Sequence, residues 1–120
     1  ESHQTSAMLK SSDGTSGFAV TYHVGRLPRF VLWKNTASES DGYVVGLEPA
    51  TNYPNVRSFE ERQGRVVTIA PGETESFRVT LHPLVDQDSV NQMSARIKTL
   101  GDGHPANIEN RPKPGWSPGA

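Results

Sequence analysis

Cysteine is absent from the 120 residues, which excludes disulfide staples and thiolate chemistry. The absence fits a reducing compartment, and a cytoplasmic location is the expectation. An excess of either charge is missing too. Twelve Lys and Arg stand against 13 Asp and Glu, a net charge of -1. The basic residues form no patch, so neither nucleic acid nor an anionic membrane is expected as a partner. No apolar run is long enough for a membrane helix, and no basic-then-apolar leader is visible. The four His, at positions 3, 23, 82 and 104, lack ligand spacing, so no metal is expected. Neither a Gly-x-Ser-x-Gly elbow nor a phosphate-cradling Gly loop occurs, so the sequence implies no Ser nucleophile and no cofactor. Apolar residues are scarce as well: 33%, against roughly 45–50% in ordinary domains with Gly counted. With 11 Gly and 9 Pro, much of the chain must be turn and loop.

What remains is mostly β patterning. Residues 1–16 read as a polar leader or partial strand, with a turn at Asp13-Gly14. Phe18, Val20, Tyr22 and Val24 alternate with Ala19, Thr21 and His23, the period-two signature of a strand. Arg29 to Lys34 is a second strand, apolar on both faces and so expected to be covered on both sides. Tyr43 to Glu48 reads as a third, and Pro49 ends its pattern. A long connection with two Pro, two Asn and a charge cluster follows; a loop of that length is more often structured or functional than idle. Arg65 to Ala70 reads as a fourth strand, closed by Pro71-Gly72. Thr74 to His82 reads as a fifth, with Phe77, Val79 and Leu81 on one side. Five strands with short turns and no helix between them indicate antiparallel β structure.

After Pro83 the period changes. Val90, Met93, Ile97 and Leu100 recur at helical spacing, and Ser89 with Gln92 resembles a capping box. Residues 85–101 are therefore expected to form an amphipathic helix. Residues 102–120, with four Pro and three Gly, are expected to be a disordered tail. One short helix cannot cover both faces of a sheet built from residues 17–84. Something else is expected to cover it: a further part of the same protein, or another copy.

Glu48 carries the chemical question. A carboxylate at the end of a buried strand costs several kcal/mol unless it is paired or hydrogen-bonded. It is either structural, bonded to loop N–H groups or an Arg, or a partly desolvated base.

The stretch "FVLWKNTASESDGYVVGLEPATNYPN", followed by "GRVVTIAPGETESFRVTLHPL", resembles the C-terminal end of aldose 1-epimerase (galactose mutarotase-like) proteins. The likeness is strongest to their branch known as a domain of unknown function. The motifs are Pro28 to Trp33, Leu47-Glu48-Pro49, Asn52 to Asn55, Ala70-Pro71-Gly72-Glu73, and Phe77 to Leu81. Each is ordinary alone; their order and spacing carry the resemblance, which spans residues 17–84.

The resemblance implies a mainly β fold: an antiparallel β-sandwich, part of a galactose mutarotase-like supersandwich, with one short C-terminal helix. It implies an isomerase that interconverts sugar anomers by acid–base ring opening, with Glu48 as catalytic base. Trp33 is then either a sugar-stacking aromatic or core, Lys34 either a substrate ligand or a solvated strand-end lysine, and Asn52 either a hydroxyl ligand or a turn residue. Glu60, Glu61 and Glu73 read as solvated charge, with Arg57 and Arg62 as possible partners of Glu60 and Glu61. His23 and His82 read as solvent-face residues.

The histidine acid and the sugar-holding Arg and Asp of the family lie upstream of the region matched. The chain is thus expected to be the last portion of such a domain, inactive alone, with a sugar or sugar derivative as ligand. Its expected protein partner is an N-terminal portion or a second copy. The alternative is a non-catalytic carbohydrate-binding or protein-interaction β-sandwich module.

Overall fold

The computed structural model describes residues 3–119. In chain order the elements are β1 (Gln4–Lys10), β2 (Gly17–His23), β3 (Arg29–Lys34), a 3₁₀ turn at Glu39–Asp41, β4 (Val45–Ala50), α1 (Arg57–Arg62), β5 (Val79–Leu84) and α2 (Gln87–Gly101). They form two compact units. The first runs to Gly25 and resumes from Arg78 to Ile108; the second takes Arg26 to Phe77 and resumes at Glu109.

The first unit is a three-stranded antiparallel sheet in the order β1-β2-β5, with α2 on one face. β2 is central, and its Ala19, Val20, Thr21 and Tyr22 are all buried. The register sets Met8, Ala19 and His82 side by side. On that face Ala19 and Leu84 pack with Val90 and Met93 of α2, with Met8 and Ile97 alongside. The helical spacing read from the sequence is therefore the buried stripe of α2. Its cap differs from the expectation. Asp86 is the N-cap and its Oδ1 accepts from Ser89 N at 2.7 Å, with Ser89 as the N3 half of the box. Asp caps as well as Ser, and the helix starts where Asp86 can reach.

β1 is a full seven-residue strand, paired with β2 along its whole length, where the sequence suggested a weak one. Its polar residues are satisfied across the sheet: Ser6 Oγ and Thr21 Oγ1 are 2.8 Å apart, and Thr21 Oγ1 lies 3.0 Å from His82 Nε2. His82 is consequently half-buried rather than on a solvent face. The Asp13-Gly14 turn joins β1 to β2, with Asp13 Oδ1 accepting from Ser11 Oγ, Thr15 N and Thr15 Oγ1.

The second unit holds the antiparallel hairpin β3–β4 and the short helix α1, which lies within the stretch the sequence predicts as a long connection. β4 starts two residues later than expected and runs through Pro49 to Ala50. Proline is admissible there because β4 has an open edge in a two-stranded sheet. Cover on both faces of β3 is not observed: Leu32 is 48% and Trp33 50% exposed.

Residues 65–70 form no strand, and β5 begins only at Val79. Val67, Ile69 and Phe77 each stay about half exposed. Alternation marks which face is apolar, but a strand also needs a neighbour for its ladder, and none of the described residues supplies one. Past Gly101 the described residues hold neither strand nor helix. Among the described residues no helix is long and apolar enough to cross a membrane.

Candidate functional site

The hairpin of the second unit decides which of the expected site residues meet. Cross-strand partners in an antiparallel pair share a face, and the face alternates at each residue. Val31 stands opposite Glu48, Trp33 opposite Gly46, and Arg29 opposite Ala50. Glu48, Trp33 and Arg29 therefore lie on one face, with Glu48 on the diagonal to both of the others. Lys34, opposite Val45, lies on the other face and is not brought to Glu48. Asn52 follows β4 in a turn. Its Nδ2 donates to Tyr53 O at 2.9 Å, and its Oδ1 accepts from Thr51 Oγ1 at 3.0 Å. Its amide is thus engaged in local turn bonds.

Glu48 is exposed and lies inside β4, not at the end of a buried strand. Its environment differs from the expected one because β3–β4 is an open two-stranded sheet. The side chain folds back along the strand over Gly46. A Cβ built on Gly46 would collide with Glu48 Oε1 and lie 3.2 Å from its Cδ. The bare glycine leaves the room into which the carboxylate leans, towards the level of Trp33. Gly46→Ala is accordingly expected to swing the carboxylate away and leave the fold intact, since the obstructed atom ends a flexible side chain. NMR would show shifts confined to residues 46–48 and 31–33, with the melting temperature within about 3 °C of the parent; a large loss of stability would contradict this packing.

The fully buried carboxylate is another one. Glu60, read from the sequence as solvated charge, is 0% exposed. Arg65 Nε donates to its Oε2 and Arg65 Nη2 to its Oε1, both at 2.7 Å. Asn55 Nδ2 adds a bond at 2.7 Å and Tyr53 N one at 3.2 Å. The Arg65 hydrogen bonds above all, helped by Asn55 and Tyr53, hold the Glu60 carboxyl down at about 2 although burial opposes them. Neither Arg57 nor Arg62 is its partner. A bidentate, four-bonded carboxylate is a structural clasp on the loop between β4 and residue 65. It has no lone pair turned to a ligand.

Tyr53 gathers the aromatic part of this unit. The Arg29 and Arg65 guanidinium carbons each lie 5.2 Å from its ring centroid, and Trp116 packs on it at 5.2 Å. Trp116 O also accepts from Asn55 Nδ2 at 2.8 Å. Nothing local in the sequence marks Trp116 as a partner of Tyr53, whereas period-two counting back from Trp33 places Arg29 on the same face. His23 Nδ1 accepts from Gly25 N at 3.1 Å and belongs, like His82, to the first unit.

Three comparisons bear on these residues. The family described as a domain of unknown function, DUF4432, matches over residues 1–82. Among curated proteins, none matches. The crystal structure of a candidate aldose 1-epimerase from Klebsiella pneumoniae is similar at 34% sequence identity and a TM-score of 0.79. That similarity covers 83% of this chain and 26% of the other, so the chain spans about a quarter of that structure's length.

Proposed function

This chain belongs to the DUF4432 family, and we propose that it serves a protein of aldose 1-epimerase type that interconverts sugar anomers. Its β-rich architecture is epimerase-like. The observation that carries the reading is the face shared by Glu48 and Trp33. There an exposed carboxylate, with no hydrogen bond or ion pair to any described residue, lies beside a half-exposed indole.

Indole faces pack against the C–H faces of sugar rings, and a free carboxylate accepts hydroxyl protons. In the proposed reaction Glu48 removes the proton from the anomeric hydroxyl while an acid donates a proton to the ring oxygen. The C1–O5 bond breaks to give the aldehyde, C1 turns about the C1–C2 bond, and closure in reverse returns both protons. Nothing on the hairpin supplies the acid. The chain is thus proposed to furnish the base and one wall of the site, and the acid comes from another part of the complete protein.

Titration with D-glucose or D-galactose, followed by NMR, tests the reading. Amide shifts should centre on residues 46–48 and on Trp33, with its indole N–H moving most. Shifts scattered over both units, or none, would count against it. A second reading rests on its own observation. Val67, Ile69 and Phe77 form exposed apolar positions on an unladdered segment, and β5 has an open edge. Such surfaces pair with other chains, and a protein-interaction module is what remains if no sugar binds.

A further inference from the structure

Resting on that sugar-site reading, we infer that Arg29 selects an acidic sugar, one carrying a carboxylate or a phosphate ester, over a neutral one. Arg29 opens β3 and stands opposite Ala50, a side chain too short to cover it. Its guanidinium carbon lies 5.2 Å from the Tyr53 ring centroid, a cation–π contact that holds the fork without itself using an N–H donor. Among the described residues no carboxylate pairs with it. Its one hydrogen bond runs from Nη1 to Pro28 O at 3.4 Å, at the long limit for such a bond. Its Nε is buried with no acceptor at all, the situation that in native proteins calls for an explanation.

The natural partner is close and is not used. Glu48 occupies the diagonal cross-strand position to Arg29, a separation that long charged side chains readily span. Yet its carboxylate leans the other way, over Gly46, while Tyr53 holds the guanidinium. Cation and anion thus stay apart on one open face. The arrangement is a line of three functions: Arg29, then Glu48, then Trp33. Glu48 stands two residues, about 7 Å along the strand, from the levels of both neighbours. A pyranose lying on Trp33, with its anomeric hydroxyl at Glu48, would extend an anionic substituent towards Arg29. There the terminal nitrogens Nη1 and Nη2 supply charge-assisted donors, and the anion is kept from the Glu48 carboxylate.

The test is a binding comparison on the full chain at fixed ionic strength with D-glucose, D-glucuronate and D-glucose 6-phosphate. At least one acid should bind about tenfold more tightly than glucose, equivalent to roughly 1.4 kcal/mol. Glucuronate would identify a carboxylate site and the phosphate ester a phosphate site. Arg29→Gln should erase the preference, and Arg29→Lys should keep part of it. Glucose binding as tightly as both acids, or a preference that survives Arg29→Gln, overturns the inference. In that event shifts at Glu48 and Trp33 with glucose would leave the sugar site standing. If none of the three binds, the sugar site falls with it. Because the unmutated chain already decides the question, a poorly folded Arg29 variant does not blunt the test.

Discussion

Under the function proposed above, replacing Glu48 by Gln in a full-length epimerase-like protein containing this chain is expected to slow anomer interconversion at least about 100-fold. Gln has the same shape and still offers an oxygen to the anomeric hydroxyl, so sugar affinity should change little. What it lacks is a site for the proton. The loss should therefore fall on turnover rather than on KM, the pattern of an interaction made in the transition state. NMR magnetisation transfer between α- and β-anomer signals measures the rate directly. A rate within a few fold of the parent would remove Glu48 from the mechanism and leave the hairpin with, at most, a binding role. Gly46→Ala provides an internal comparison. It moves the same carboxylate without changing its chemistry, and it should slow the reaction through misplacement, since small displacements of a positioned group are costly.

Whether a residue was legible depended on how local its determinants are. β2 and β3 are legible to within a residue because period-two alternation and the flanking Gly25 and Pro28 act over a few positions. The apolar stripe of α2 was legible for the same reason. β1 was faint because its stability comes from elsewhere: Ser6 is buried through Thr21, and Thr21 bonds His82 from a third strand. The opposite outcome falls on residues 65–70 and 74–78, where a strong alternation names an apolar face but cannot say whether a neighbouring strand exists. The two carboxylates show the same limit. Glu48 follows an apolar run and looked buried, yet it lies on an open two-stranded sheet. Glu60 sits in a charged cluster and looks solvated, yet it is fully buried. The burial of Glu60 depends on four donors brought round from three residues, Tyr53, Asn55 and Arg65, and their convergence is a property of the folded loop. A weak signal existed: Asn55 and Arg65 each stand five positions from Glu60.

Removing the Glu60 carboxylate is expected to be the most damaging single change to the second unit. Four donors converge on it, and the Arg65 side chain, 13% exposed, would be left as a buried cation without a counter-charge. Breaking one side of such a pair is far more costly than lacking the pair altogether. Glu60→Ala should lower the melting temperature of this unit by about 10 °C or more. Glu60→Gln should also destabilise it, because its amide turns a donor towards donors. Replacing Glu60 and Arg65 together by Leu and Met should recover much of what either single change loses.

The same clasp fixes a pH dependence. Folding takes the Glu60 carboxyl from 4.5 down to about 2. A group whose pKa is depressed in the folded state stabilises that state fully above its unfolded value, and the stabilisation is lost as pH falls through the folded one. Stability of the second unit should therefore decline between pH 4.5 and 2. Trp116, packed 5.2 Å from Tyr53 beside the clasp, is positioned to report the loss by fluorescence in a Trp33→Phe background. In Glu60→Ala the decline in that window should shrink. A mutant with the parent's acid profile, or a parent chain indifferent to acid in that range, would show that the carboxylate is a bystander in a loop held by Tyr53 and Trp116 alone.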